Sequence, residues 1–125
     1  MVQLPESVNR AWKKRKGPVV FSTVDQNGLP NAIYATCVRM RDQETVIIAD
    51  NFFDKTKQNI FSGSRGSILF ITEEDEAFQL KGSIEYHQDG SFFEEMKEWN
   101  PKDLPGHAAA LVKIEEIYSG SERIK

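Results

Sequence analysis

The sequence predicts one mainly β domain, residues 1–125, in which six antiparallel strands and three short helices form a barrel. Three observations support this prediction. The length of 125 residues is usual for a single domain. Segments rich in β-branched or alternating apolar residues recur along the chain, and short turns join most of them, which favours antiparallel pairing. Six strands with bulky inward side chains tend to close into a barrel.

The composition restricts the class of protein. The formal net charge of −3 argues against a general nucleic-acid binder, which usually carries a basic face. No segment approaches the ~18 consecutive apolar residues of a membrane span, and the N-terminus has no signal-peptide core. The single cysteine, Cys37, excludes an internal disulfide and fits a reducing cytoplasm. One cysteine and two histidines also predict no metal site.

The first element is predicted to be a helix over Glu6–Lys16. Its apolar positions follow helical i, i+3, i+4 spacing, and Gly17-Pro18 ends it because proline cannot continue a helix. Five basic residues in this segment, Arg10 and Lys13–Lys16, oppose the single acidic residue Glu6. They form either a solvated helix face or a surface that contacts phosphate or membrane.

A three-stranded meander is predicted next. Its strands are Val19–Val24, Asn31–Arg41 and Thr45–Ala49. The first turn, Asp25–Gly28, contains Asn-Gly, which accepts the positive φ angles of a tight hairpin turn.

The second half of the chain is predicted to alternate strands with two short helices. Asp54 is the expected N-cap of the first helix, and Ser91 with Glu94 forms an expected capping box for the second. The predicted elements are a helix over Lys55–Phe61, strands over Gly66–Ile71 and Phe78–Tyr86, a helix from Ser91 to Trp99, and a last strand over Ala108–Tyr118.

The usual catalytic motifs are absent from the sequence. It contains no G-x-S-x-G, no glycine-rich phosphate loop and no H-E-x-x-H. Cys37 lies inside a predicted strand, where a small core residue is expected. His87 and His107 lie at loop edges and are expected to face solvent. The sequence therefore identifies no catalytic residue.

The segment Ile48–Ile60 is the most informative. A strand ends, a loop follows, and a helix begins with Lys55-Thr56. The first turn of a helix has free N–H groups and a partial positive charge, so an added ammonium and hydroxyl make a phosphate site. Phe52 and Phe53 could border a flat aromatic ligand. The alternative is an ordinary helix start with both phenylalanines in the core.

The whole chain resembles the pyridoxamine 5′-phosphate oxidase-like family of FMN-binding split barrels, in particular its small single-domain members. The resemblance rests on an ordered set of motifs rather than on one specific signature. They are the N-terminal helix, the strand Val19–Thr23, the turn Asn27-Gly28-Leu29-Pro30, the strands Asn31–Met40 and Val46–Ala49, the helix start Asp54–Ile60, and the strands Gly66–Ile71, Leu80–Ile84 and Ala108–Ile117.

The resemblance implies a homodimer with FMN at its interface. Lys55 and Thr56 match the residues that hold the phosphate. Two segments match those that run beside the isoalloxazine ring: Ala49, Asp50, Asn51, Phe52 and Phe53 on one side, and Asn31, Ala32, Ile33, Tyr34 and Ala35 on the other. Trp99 is the candidate aromatic contact from the partner subunit, and Asn59 matches a structural asparagine.

The expected function is that of an FMN-binding flavoprotein with a redox role. This role is either electron transfer to a partner or flavin-dependent reduction or oxidation of a small molecule. The segment Ser119–Arg123 lacks the arginine–histidine pattern that grips pyridoxine in the true oxidases, which argues against pyridoxamine phosphate oxidation. The alternatives are a split barrel that binds a deazaflavin or haem, and a cofactor-free module that binds a partner through its basic Lys13–Lys16 run.

Overall fold

The computed structural model describes residues 2–125, which form one curled antiparallel sheet and three α-helices. The mainly β split-barrel fold is confirmed. The elements in chain order are α1 (Glu6–Lys13), β1 (Val19–Val24), β2 (Pro30–Ala35), β3 (Val38–Arg41), β4 (Thr45–Asp50), α2 (Lys55–Phe61), β5 (Gly66–Ile71), β6 (Ala77–His87), α3 (Gly90–Trp99), β7 (Ala108–Ser119) and β8 (Glu122–Arg123).

The strand order explains why the sheet curls. It runs β2-β1-β5-β6-β7-β4-β3, with the short β8 attached to β7. β2 and β3 are therefore the two outer strands of this order, yet only Thr36 and Cys37 separate them in the chain. Because the chain from Ala35 to Val38 spans at most about 11 Å, the end of β2 and the start of β3 must lie close together. The result is a barrel that is split between β2 and β3.

Within residues 2–125 the structure has eight strands where the sequence predicts six, and the two additional strands have different origins. The sequence predicts one strand over Asn31–Arg41, but the structure breaks it at Thr36-Cys37. Its first half pairs with β1 and its second half with β4, so neither half pairs with both neighbours. The additional strand β8 is a two-residue return against the end of β7.

Three local predictions are wrong in detail. α1 ends at Lys13 rather than Lys16. Asp54 makes no capping hydrogen bond, because its carboxylate accepts from the side chains of Lys55 (3.2 Å) and Gln58 (3.4 Å) instead. α3 begins at Gly90, with Asp89 at the N-cap position, so Ser91 is not the cap.

α1 closes one end of the barrel with the face predicted from its spacing. Val8 is fully buried, and Ala11 and Trp12 are nearly so. The indole of Trp12 meets the ring of Phe70 edge-on, with centroids 5.1 Å apart, and joins the helix to the main core. No helix among residues 2–125 has the length and hydropathy of a membrane span.

α3 covers the outer surface of the sheet, away from the barrel interior. Met96 on this helix is fully buried against Ile47 and Leu111, which belong to β4 and β7. Cys37 and Trp99 pack against the same outer cluster. This second cluster fixes the position of the α3–β7 loop beside the ends of β2 and β4.

Candidate functional site

A cleft of about 310 Å³ opens where β2 ends, β4 ends and the α3–β7 loop passes. We call it the aromatic cleft. Tyr34 and Phe52 are its most exposed lining side chains, each 78% exposed. Its lining residues are Ile33, Tyr34, Ala35, Thr36, Cys37, Ala49, Asn51, Phe52, Phe53 and Leu104.

The structure brings most of the expected ring-side residues together at this cleft. Seven of the thirteen predicted FMN-binding residues are in the lining: Ile33, Tyr34, Ala35, Ala49, Asn51, Phe52 and Phe53. Phe53 is only partly buried and packs against the main core, where its ring centroid lies 6.0 Å from that of Phe21. Phe52 is exposed. The alternative in which both phenylalanines are buried in the core is therefore wrong for Phe52.

Asp50 does not line the cleft but supports it from behind. Its side chain is 1% exposed. One carboxylate oxygen accepts the main-chain N–H of Phe53 at 3.0 Å, and the other accepts the hydroxyl of Tyr86. Burial is the larger cause, and the hydrogen bond to Asp50 the second cause, of a raised pKa of Tyr86. This hydroxyl therefore keeps its proton at neutral pH. Asp50 thereby fixes the loop that carries Phe52 and Phe53.

A reciprocal pair of amides holds the opposite wall. Asn51 Nδ2 donates to Asn100 Oδ1 at 3.1 Å, and Asn100 Nδ2 donates to Asn51 Oδ1 at 2.9 Å. Asn51 Oδ1 also accepts the main-chain N–H of Gly106 at 2.9 Å. These buried bonds join the β4–α2 loop to the α3–β7 loop, and Leu104 of the latter loop is brought into the lining of the aromatic cleft.

The expected phosphate-side residues form a second group at the start of α2. Asn31 Nδ2 donates to Thr56 Oγ1 at 3.2 Å, and Thr56 is 1% exposed. Lys55 is exposed, and its ammonium lies 3.2 Å from the carboxylate of Asp54. None of these residues lines the aromatic cleft. Asn31 and Ile33 are two positions apart on β2, so about 7 Å of strand separates the two groups.

Trp99 lies behind the cleft wall in its own chain. It packs with Ala49 and Cys37 in the cluster between α3 and the sheet, and its buried Nε1 has no hydrogen-bond partner within residues 2–125. It does not line the aromatic cleft. Its contact with a cofactor held by a partner subunit stays a prediction.

Four residues at or behind the cleft were missed by the sequence reasoning. Cys37, expected to be a core residue, is only partly buried and lines the cleft with Thr36. Their position directly after Ala35 was the available signal. Leu104 and Tyr86 gave no sequence signal, because each reaches the site through a contact distant in the chain.

The chemistry of the lining is mostly that of a binding surface. Among the described residues it offers apolar and aromatic side chains, two hydroxyls, one thiol and one amide, but no carboxylate, histidine or lysine. Within residues 2–125, no group of three or more His, Cys, Asp or Glu side chains could hold a metal ion.

Comparison with known proteins identifies a family and several structural neighbours. The sequence profile described as pyridoxamine 5′-phosphate oxidase matches residues 6–120. A protein of Methanocaldococcus jannaschii, MJ0282, is 32% identical over 113 residues, which cover 86% of this chain and 76% of that protein. Among solved structures, HupZ from Group A Streptococcus superposes with a TM-score of 0.79 at 22% identity, over 94% of each chain.

Three further structural neighbours are named for three different cofactors. An FMN-binding protein from Syntrophomonas wolfei has a TM-score of 0.72 at 22% identity, and 96% of each chain is covered. An F420 reductase has a TM-score of 0.70 at 15% identity, over 92% of this chain and 98% of its own. HutZ, the haem storage protein of Vibrio cholerae, has a TM-score of 0.68 at 16% identity, over 94% and 95%. At these identities the likeness shows the fold alone.

Proposed function

Because the chain belongs to the pyridoxamine 5′-phosphate oxidase family, we propose that it is an FMN-binding flavoprotein with a redox role. The observation that carries the proposal is the pairing of two groups at the ends of β2. A cleft with exposed aromatic walls lies at one end, and a cluster of polar donors beside a lysine lies at the other. An elongated ligand with a flat ring and an anionic tail fits this division.

The aromatic cleft is the proposed ring site. Its volume of about 310 Å³ is at the lower end for ligand pockets, which suits a tricyclic ring rather than a whole mononucleotide. Tyr34 and Phe52 offer aromatic surface to such a ring. When bound, FMN would supply the electron or hydride chemistry. The residues of this chain would hold the ring and exclude water from it.

Lys55, Thr56 and Asn31 are the proposed phosphate ligands. The pair of Lys55 with Asp54 is exposed on both sides, at 67% and 76%, and exposed pairs contribute little to stability. A phosphate can therefore replace Asp54 as the partner of this ammonium at small cost. Asn31 uses one amide N–H on Thr56 and has a second one available for a phosphate oxygen.

A second copy of the chain is the proposed cover for the open side of the cleft. Tyr34 on β2 lies opposite Val20 on β1, and Val20 lies opposite Leu69 on β5, so these three share the outer face of the sheet. Tyr34 and Leu69 are exposed, at 78% and 43%. Ile33 and Tyr34 line both the aromatic cleft and a smaller pocket beside Val20, so the apolar strip continues into the site. A two-fold partner would bury both together.

An absorption spectrum of the purified chain separates the cofactor candidates. Bound FMN gives the two visible bands of an oxidised flavin, a deazaflavin absorbs at shorter wavelength, and haem gives a Soret band. No histidine among the described residues lines the cleft, so Cys37 would be the sulfur ligand of a haem there. A colourless protein that shows no thermal shift with any of the three would instead support a cofactor-free interaction module.

The assigned phosphate role is tested with Lys55→Ala. Loss of a charge-assisted contact should weaken FMN binding about 10- to 100-fold, whereas riboflavin binding should change little. Lys57→Ala is the matched control, since it removes the same charge from the same helix beside Phe61 and Tyr86. Unchanged FMN affinity in Lys55→Ala would remove this residue from the phosphate site.

Size-exclusion chromatography with light scattering tests the dimer, and a monomer in the presence of FMN would contradict the shared site.

A further inference from the structure

A second, larger cleft of about 560 Å³ lies between α1 and the edge strand β3. We call it the basic cleft. One wall is formed by Trp12, Lys13 and Arg15, and the other by Val38, Arg39 and Met40. β3 pairs with β4 alone, so its other edge faces this opening. The basic cleft has no lining residue in common with the aromatic cleft, but the two adjoin where Cys37 is followed by Val38.

The charges of the basic cleft are not compensated. Lys13, Arg15 and Arg39 form no ion pair with any carboxylate within residues 2–125. The acidic residue of the lining, Asp42, is already bound by the guanidinium of Arg41 at 3.1 Å. The cleft therefore has excess positive charge, although the whole chain has a net charge of −3.

Two contacts fix the guanidinium group of Arg15, and most of its N–H donors remain unused within residues 2–125. Its Nη1 donates to the main-chain oxygen of Trp12 at 3.0 Å, and its guanidinium carbon lies 4.2 Å from the centre of the indole. These contacts orient the guanidinium and use one of its five N–H donors. Burial lowers the pKa of Arg15, which reports partial loss of water around a charge with no carboxylate partner among the described residues.

Arg39 contributes a second guanidinium from the opposite wall. Its guanidinium carbon lies 5.4 Å from the centre of the Trp99 ring, at the limit of a cation–π contact, and it forms no ion pair with a carboxylate in the described part of the chain. Three basic residues, Arg15, Arg39 and Lys13, therefore belong to the lining of one opening, on two sides of it. Such an arrangement suits an anion that accepts several hydrogen bonds at once.

We propose that the basic cleft binds a phosphorylated small molecule of about mononucleotide size. Three cations without carboxylate partners in residues 2–125 are better neutralised by a phosphate ester, with a charge of roughly −1.5 to −2 at neutral pH, than by one carboxylate. A volume of about 560 Å³ is within the range of small-molecule sites. The net charge of −3 disfavours long polyanions, since a nucleic acid would be repelled by the chain as a whole.

The binding test uses the full chain saturated with FMN, so that the proposed flavin phosphate site is already filled. AMP, pyrophosphate and citrate are titrated separately at constant ionic strength, and amide shifts are followed by NMR. Saturable shifts at Lys13–Arg15 and Val38–Met40 with AMP and pyrophosphate are expected. Shifts confined to Lys55 and Thr56, or no saturable shift above that of chloride, would overturn the proposal. Citrate that binds as tightly as pyrophosphate would overturn the choice of phosphate.

Neighbouring lysines provide a matched pair of variants. Lys13→Gln should weaken AMP binding severalfold and Arg39→Gln about tenfold, because each loses a charge-assisted contact. Lys14→Gln removes the same charge one residue away, outside the basic cleft, and should change the affinity less than about twofold. Equal effects of Lys13→Gln and Lys14→Gln would show long-range attraction instead of a site. Neither Lys13 nor Arg39 is buried, so both variants are expected to fold.

Discussion

Replacement of Asn51 by alanine should destabilise the protein and loosen one wall of the aromatic cleft. Asn51 takes part in three buried hydrogen bonds, two with Asn100 and one with the N–H of Gly106. Asn51 and Asn100 are 8% and 3% exposed, so water does not readily replace the lost partners. At about 1 kcal/mol for each bond, Asn51→Ala should lower the free energy of unfolding by about 3 kcal/mol.

The same hydrogen bonds predict how the effects of Asn51→Ala and Asn100→Ala on the free energy of unfolding combine. Asn100→Ala removes only the two mutual bonds, so it should cost about 2 kcal/mol. The double variant loses no bond that Asn51→Ala has not already lost, so its cost should stay near about 3 kcal/mol. The expected coupling energy is therefore about 2 kcal/mol, the value of the two shared bonds.

Urea unfolding of the four proteins, followed by circular dichroism, measures this cycle. Asn27→Ala is the control, since Asn27 lies in the exposed β1–β2 turn, and its free energy of unfolding should change by less than about 0.5 kcal/mol. FMN affinity, measured by quenching of flavin fluorescence, should fall in Asn51→Ala because Leu104 is no longer held at the cleft. Additive costs for the two asparagines would refute the reciprocal pair as the clamp.

Three other perturbations test the surrounding framework. In Gly82→Ala the new Cβ would lie 1.8 Å from the main-chain oxygen of Lys113, so β6 and β7 must separate, and the expected loss is at least about 3 kcal/mol by urea unfolding. Tyr86→Phe removes the bond to the buried carboxylate of Asp50 and should cost about 2 kcal/mol in the same assay. The ammonium of Lys113 holds the pKa of Glu85 below its usual value, and His87 makes a smaller contribution in the same direction. The stability that Glu85 contributes is thus present above the usual glutamate pKa, and the difference between the wild type and Glu85→Gln should shrink as the pH falls below that usual value and through the lowered one.

The sequence predicted the fold well where the apolar pattern lies within one strand or helix. The alternating pattern of the strand predicted over Phe78–Tyr86 indicates one apolar face, made of Phe78, Leu80, Gly82, Ile84 and Tyr86. The structure buries the first three, and Ile84 and Tyr86 are partly buried against the core. The break between β2 and β3 could not be predicted in this way, because Thr36-Cys37 contains no residue that ends a strand. It arises from pairing with two different neighbours, β1 and β4, and pairing of that kind depends on the whole sheet.

The cleft was predictable to the extent that it is built from contiguous segments. Residues 49–53 and 31–35 were expected to lie on the two sides of one ligand ring, and Ala49 and Ala35 do line the same cleft. The supports were not predictable, since they join residues far apart in the chain: Asp50 with Tyr86, and Asn51 with Asn100. Asp50 and Asn51 were expected to contact the ligand, but their side chains form hydrogen bonds that hold the walls of the cleft.

Pairing of charges says more about binding than net charge does. The chain is acidic overall, yet only some of its cations form ion pairs with carboxylates among the described residues. Arg41, Arg65 and Lys113 have carboxylate partners and contribute to the framework. The cations of the basic cleft have none within residues 2–125, although folding has brought them together against mutual repulsion of roughly 1 kcal/mol or less per pair in water. No carboxylate among residues 2–125 offsets that small cost, and a bound anion would offset it.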